Sequence, residues 1–218
     1  MPIAWPYDTL TPREDRARLQ GVGMTGGQSV GGTSQTIRMD GGGLWVIEQT
    51  FLAHGYGVKL ARALGSLLDG GATDIVVRVS EQTYAPTGLA VTEVPFSDDA
   101  EFSDGSGFAT IPPGGITTAS AALRATTITV TPLAGAFQGG ERFSIDHTTK
   151  GRRLYEIVGV DGDDITIRPP LREAIASGVY LDFLQPGVVC RLANADEFMG
   201  GLAPDRIAEV TAVWVEAF

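Results

Sequence analysis

The sequence predicts a mainly β protein, with a β-sandwich or barrel domain that carries one covering α-helix and a second, small β-barrel inserted into that domain. Two observations predict this class. Between residues 141 and 183 lie four short runs rich in β-branched and aromatic residues, which is the composition of strands. The chain of 218 residues also contains 29 glycines and 12 prolines, as expected for many short strands joined by tight turns.

The runs in this segment alternate in the way that strands with one buried face do. Ile165 and Ile167 would point to one side, with Thr166 between them pointing to the other. The dipeptide Asp161-Gly162 separates the second run from the third, and Asp-Gly between apolar runs predicts a hairpin with a type I′ turn. The segment therefore predicts an antiparallel meander that can close into a small barrel.

The chain begins with an arm for which an extended conformation is predicted. Pro2 and Pro6 disfavour a helix there. The arm carries two large side chains, Trp5 and Tyr7, and two interpretations stay open: they fold back onto the core of their own chain, or they anchor on a neighbouring subunit. Thr11 is then predicted to cap a short helix through Leu19, with proline at the first helical position.

A glycine-rich segment follows, and two familiar patterns occur in it. Residues 21–26 match G-x-G-x-x-G, but a charged segment precedes them and further glycines follow where a helix would be required, so we predict no dinucleotide site. Residues 27–31 match G-x-S-x-G around Ser29, but the helix that a nucleophile elbow requires is missing. His54 and His147 have no motif support as general bases. We therefore predict no catalytic residues, no cofactor, and a glycine-rich strand and turn.

A strand, a helix and a second strand come next. Residues 44–52 are predicted to form a strand with Trp45, Ile47 and Phe51 on one side. Residues 57–68 are predicted to form the one helix, and Gly70 and Gly71 follow its end. Residues 75–79 then alternate as a strand. The apolar face of the helix is predicted to comprise Leu60, Ala61, Leu64, Leu67 and Leu68.

The composition changes near residue 93, where an acidic and turn-rich segment begins. Residues 97–107 do not match the register of a calcium-binding EF-hand loop, so we predict a solvated loop and no metal site. Strands are predicted at residues 126–131 and 188–192. The apolar final stretch, residues 206–218, is predicted to return to the first domain as a strand. The predicted domains are residues 1–92 together with 191–218, and the inserted barrel of residues 93–190.

The charge of the chain excludes some classes of partner. Acidic residues number 26 against 16 basic ones, which gives a formal net charge of −10. Phosphate recognition depends on clusters of Lys and Arg, so we predict no nucleic-acid specificity. No apolar run of about 18 residues is present, and the start of the chain has no signal-peptide pattern, so we predict no membrane association.

The segment "GERFSI … RRLYEIVGVDGDDITIRPPLREAIASGVYLDF" resembles the compact β-barrel module of tail and baseplate proteins of tailed bacteriophages. The closing "VVCRLANADEF … EVTAVWVEAF" is similar to the end of siphophage tail-tip proteins that resemble distal tail proteins. The resemblance implies a tail-tube-like first domain and a structural, non-enzymatic subunit of the tail tip or baseplate. Such a subunit would form a hexameric or trimeric ring between the tail tube and the hub with its receptor-binding apparatus. Its implied partners are the tail tube protein, the baseplate hub protein and the tape measure protein, and its implied location is the virion, after assembly in the cytoplasm of the host bacterium.

Large apolar groups near both ends of the chain are the candidate subunit interface, because a ring repeats one head-to-tail contact. The candidates are Ile3, Trp5, Tyr7, Trp214 and Phe218. The alternative function is a carbohydrate-binding β-module of a virion or a secreted protein, in which Trp5, Trp45 and Trp214 would be stacking platforms.

Overall fold

The computed structural model describes residues 3–27, 31–32, 34–38, 41–79, 93–94, 108–109, 114–133, 135–198 and 207–218. The protein is mainly β and folds into two compact units. The first comprises residues 1–80, 150–152 and 187–218, and the second comprises residues 81–149 and 153–186. Ser29 and the acidic loop at 97–107 lie outside the described residues.

The strands are numbered in chain order. Among the described residues, one α-helix, α1, spans Tyr56–Leu67, and a short 3-10 helix, Asp69–Gly71, follows it. The strands of the first half are β1 (Ile3–Ala4), β2 (Pro12–Gln20), β3 (Gly23–Thr25), β4 (Thr36–Arg38), β5 (Leu44–His54), β6 (Ile75–Arg78), β7 (Glu93–Val94) and β8 (Phe108–Ala109). Those of the second half are β9 (Gly114–Thr117), β10 (Thr127–Pro132), β11 (Arg142–His147), β12 (Gly151–Asp161), β13 (Asp164–Arg168), β14 (Tyr180–Asp182), β15 (Gly187–Leu192) and β16 (Ile207–Glu216).

The first unit contains a six-stranded sheet in the order β1-β6-β15-β16-β5-β2. The long final strand β16 lies antiparallel to β5, from Ile207 opposite His54 to Val215 opposite Val46. The predicted inward side of β5 is confirmed, since Trp45, Ile47 and Phe51 are all buried. The predicted domain boundary at residue 190 falls inside β15, which pairs with β6 from Gly187 onwards and so belongs to this sheet.

The predicted helix at residues 11–19 is wrong, because this segment forms the edge strand β2. It pairs antiparallel with β5, from Pro12 opposite Phe51 to Gln20 opposite Leu44, with a bulge after Pro12. The half-buried Asp15, Ala17 and Leu19 alternate with exposed arginines, which is a strand pattern of period two. A proline that suits the first turn of a helix suits the beginning of an edge strand equally well.

The helix covers the sheet with a stripe slightly different from the predicted one. Its buried residues are Gly57, Val58, Ala61 and Leu64, and Leu68 after its end is also buried. Leu67, which was predicted to be part of the buried face, is 52% exposed. Neighbouring residues of a helix are rotated by about 100°, so Leu67 points away from the side that Leu68 buries. The glycines after the helix have positive φ angles, 64° at Gly70 and 90° at Gly71, and so stop it as predicted.

The second unit is built on a closed barrel of six strands in the order β10-β13-β12-β11-β14-β9. The meander predicted between residues 141 and 183 contributes four of these strands, β11 to β14. The barrel core is formed by buried aliphatic and aromatic side chains: Ile128, Val130, Phe137, Phe143, Ile145, Tyr155, Ile157, Ile165, Ile167, Leu171, Ile175, Leu181 and Phe183.

The predicted hairpin joins β12 to β13, but its turn is not of type I′. Asp161 pairs with Asp164, so Gly162 and Asp163 are the central residues. Only Gly162 has a positive φ, of 61°. Positive φ at the first central residue alone is the pattern of a type II′ turn, which prefers glycine there. The turn therefore lies one residue further along the chain than predicted.

Candidate subunit interface

Trp5 lies inside the core of its own chain. Its ring centroid is 4.9 Å from that of Phe51, 5.2 Å from that of Trp214 and 6.0 Å from that of Phe198. Its indole Nε1–H donates to the carbonyl oxygen of Leu10 at 3.1 Å. Trp5 and Trp214 are both buried, so the structure gives neither of these two predicted interface residues a surface that could meet a neighbour.

The arm also completes one edge of the sheet. β1 lies parallel to β6, with Ile3 opposite Ile75. The Ile3 amide donates to the carbonyl of Asp74 at 3.3 Å, and the Trp5 amide donates to the carbonyl of Val76 at 3.4 Å. The arm thus occupies backbone groups that an edge strand otherwise offers to another chain.

Tyr7 extends this edge with its side chain. Its hydroxyl accepts the Arg78 amide hydrogen at 2.6 Å and donates to the Arg78 carbonyl at 2.9 Å, as the backbone of a strand would do. The Arg78 guanidinium lies 5.6 Å from the centre of the Tyr7 ring. Burial raises the pKa of Tyr7 above its ordinary value, so this hydroxyl stays protonated and keeps its donor.

Gln49 connects the arm to the opposite side of the sheet. Its Nε2 donates to the Arg78 carbonyl at 2.8 Å and to the Asp15 carboxylate at 3.1 Å, and its Oε1 accepts the Trp214 indole N–H at 3.2 Å. Gln49 lies on β5 and Arg78 on β6, which are separated in the sheet by β15 and β16. A direct bond between them requires that the sheet curl until its ends approach. The hydrogen bonds among Tyr7, Asp15, Gln49 and Arg78 thus join the two ends of the sheet, although no strand-to-strand ladder connects them.

Sequence reasoning missed Gln49, although a signal for it is present. It lies two residues after Ile47 and two before Phe51, and therefore on the inward side of β5. A polar side chain in a run of inward apolar ones must find hydrogen-bond partners, because an unpaired buried amide is costly. The pattern could have predicted a buried polar contact, but not its partners.

The remaining candidates differ in exposure. Ile3 is half-buried in β1. Phe218 is 59% exposed, and the Nζ of Lys150 lies 5.9 Å from the centre of its ring. Of the predicted interface residues, Phe218 presents the most open aromatic surface.

In the glycine-rich segment, for which a strand and turn were predicted, the structure describes two paired strands. β3 and β4 pair as a two-stranded ribbon, with Met24 directly opposite Ile37. These side chains are 58% and 54% exposed. At the base, Gly43 has a φ of 80°, and a Cβ there would lie 2.5 Å from the Gln20 carbonyl oxygen, so the chain can cross over closely only with glycine. We call β3 and β4 the glycine ribbon.

The described residues that could do chemistry are placed as follows. His54 is exposed, whereas His147 is buried with its Nε2 2.7 Å from the Tyr155 hydroxyl. Within the described parts of the chain, no three His, Cys, Asp or Glu side chains are grouped as metal ligands would be.

Trp5, Trp45 and Trp214 are all buried, so none of them offers the open ring face that sugar stacking requires.

No protein-family model matches this chain, and a comparison with curated proteins finds no match. In the part of the chain that the structure describes, α1 is too short and too polar to cross a membrane, and the described residues contain no other helix that could do so.

Proposed function

We propose that this protein is a structural subunit of a siphophage tail tip or baseplate. It would form a ring that connects the tail tube to the hub and the receptor-binding apparatus, with the first unit as its tail-tube-like domain. The resemblance of residues 141–183 and of the closing segment to tail-tip proteins supports this identity. The glycine ribbon, which exposes an apolar cross-strand pair, supports a contact between copies.

A two-stranded ribbon is marginally stable by itself in water, because each strand is paired on one side only. The Met24–Ile37 pair exposes apolar surface that a second surface could bury. Such burial stabilises a contact by about 25 cal/mol for each Å² of apolar surface removed from water. The flanking glycines make the ribbon thin, so it can approach another backbone closely. A contact of one such ribbon with a different surface on the next copy is head-to-tail, and such contacts close into rings when the rotation between copies permits.

The placement of the arm reduces the number of surfaces that could form the contact between copies. The aromatic groups Trp5 and Trp214 stabilise their own unit, so the candidate contact moves to the glycine ribbon and to Phe218. The proposed partners are other copies of this chain, the tail tube protein, the hub protein and the tape measure protein. The formal net charge of −10 favours basic surfaces on the partners of another type.

The test is to place charge on the glycine ribbon by the double substitution Met24→Glu and Ile37→Glu. Assembly would be followed by light scattering and negative-stain electron microscopy. We expect the variant to fold and to lose rings, because carboxylates would be desolvated in the contact. The matched control is Leu123→Glu in the second unit, where the wild-type side chain is 57% exposed; it should assemble normally. Normal assembly of the ribbon variant would exclude the ribbon as the contact.

A further inference from the structure

We propose that one exposed side of α1 docks on the second unit of another copy. The docking stripe is defined as Tyr56, Leu60, Ala63 and Leu67, and its counterpart as the tip of the β12–β13 hairpin, residues 158–164. The inference rests on the proposed function, because it adds to the glycine ribbon a second contact between the copies of a ring.

The docking stripe is an apolar side of α1 that remains mostly exposed. Its four residues are spaced i, i+4, i+7 and i+11, so they lie on one side of the helix. Tyr56 is 71% exposed, more than any other large hydrophobic residue that the structure describes, and Leu67 is 52% exposed. The helix is therefore apolar over a wider arc than the packing of the first unit uses. Contact with a second surface would remove this remaining apolar area from water.

The charges of α1 indicate an acidic partner. Lys59 and Arg62 are its only charged residues, and both are exposed. Lys59 comes three residues after Tyr56 and four before Ala63, so it borders the docking stripe. Arg62 lies one step further round the helix, three residues after Lys59. A surface that combines an apolar stripe with two cations fits a partner that offers exposed apolar groups and carboxylates.

The formal charge of the chain is divided unevenly between its two units. The first unit has 11 Lys and Arg against 12 Asp and Glu, which gives a net charge of −1. The second unit has 5 against 14, so its net charge of −9 accounts for nearly all of the −10 of the chain. Second units of different copies therefore repel each other. A contact between copies is favoured where the second unit of one copy meets cations on the first unit of the next.

The tip of the β12–β13 hairpin has the composition that the docking stripe requires. Val158 and Val160 are 50% and 39% exposed. The three aspartates that follow, Asp161, Asp163 and Asp164, are all exposed. Asp161 lies directly opposite Asp164, and like charges in that position destabilise a strand pair. Cations supplied by α1 of another copy would relieve this repulsion, and the valines would meet the apolar stripe.

The test reverses the charge of each surface separately. The helix variant carries Lys59→Glu and Arg62→Glu, and α1 should remain folded because glutamate is a good helix former. The hairpin variant carries Asp161→Lys and Asp163→Lys, which also converts the pair with Asp164 into one of opposite charges. Association is measured by light scattering and native mass spectrometry, and folding by circular dichroism.

Each variant alone should lose association, because like charges would meet in the contact. An equimolar mixture should recover it, since the new glutamates of one variant would meet the new lysines of the other. A chain with all four substitutions should associate for the same reason. The matched control, Asp196→Lys with Glu197→Lys, changes two exposed carboxylates of the first unit and should associate as the wild type does.

Normal association of either variant would overturn the docking while leaving the ring in place. Recovery in the chain with four substitutions but not in the mixture would overturn it too, because the two surfaces would then meet within one copy. Recovery in neither would show that these surfaces do not pair. A wild-type protein that stays monomeric would overturn both the docking and the proposed function.

Discussion

At the scale of single residues, His147 shows how the barrel uses a buried polar group. The Arg172 amide donates to the Tyr155 hydroxyl at 3.0 Å, which leaves the hydroxyl proton free to point at His147 Nε2, 2.7 Å away. This arrangement suits a neutral imidazole that accepts at Nε2. Burial lowers the pKa of His147 below its ordinary value; the positive charge of Arg153 also lowers it, and the carboxylates of Glu173 and Asp146 oppose this shift.

The stability of the barrel should therefore fall in acid. Because the native pKa of His147 is below 6.5, the unfolded chain takes up this proton first as the pH falls. The stabilisation is fully present above about pH 6.5 and is lost as the pH falls through the native pKa. Thermal unfolding measured across this range should lose part of its pH dependence in His147→Gln, which cannot titrate. His54→Gln, at an exposed site, is the control. An unchanged pH slope in His147→Gln would contradict the assignment.

At the scale of elements, α1 has a buried stripe that partly matches the predicted one. Leu64 lies at the centre of its buried stripe, and Arg62 lies on its exposed side. Leu64→Ala should reduce the free energy of unfolding by about 2–5 kcal/mol, through lost burial and the cavity that remains. Arg62→Ala should change it by no more than about 0.5 kcal/mol. Chemical denaturation of both variants measures the difference, and equal effects would show that the faces are misassigned.

Some elements could be predicted from their sequence pattern and others could not. β5, β13 and α1 could be predicted because each has one mostly apolar side, interrupted in β5 by Gln49. β2 could not, since its charged residues leave the period weak and its strand conformation is fixed by pairing with β5 along its length. The turn at Gly162 was misplaced by one residue because Asp-Gly and Gly-Asp both occur there, and register depends on the strands as well as on the turn. For the candidate site, the sequence left open whether Trp5 and Tyr7 pack on their own core or on a neighbour. In the structure they pack on their own sheet, against residues that are distant in sequence and that only the folded sheet brings together.

At the scale of the whole molecule, the described ends of β6 and β15 suggest that the first unit can be separated from the second. Arg78 lies directly opposite Gly187, so the chain enters and leaves the sheet at neighbouring positions. Replacement of residues 81–186 by a short Gly-Ser linker should leave a folded protein, because β6 and β15 can then form a hairpin. We expect some loss of stability, since residues 150–152 belong to the first unit. Tryptophan fluorescence during denaturation tests this, as Trp5, Trp45 and Trp214 all lie in the first unit. A variant without a cooperative transition would refute the separation.

The central claim is that the protein works by self-association into a ring. The most direct measurement is the mass of the full-length protein in solution over a range of concentrations, by light scattering or native mass spectrometry, together with its detection in purified phage particles. Ring assembly predicts a closed species whose mass is a fixed multiple of 22.9 kDa, with the hexamer and the trimer as the expected orders, and a contact that buries at least about 1,000 Å². A protein that stays at 22.9 kDa at high concentration and is absent from particles would contradict it.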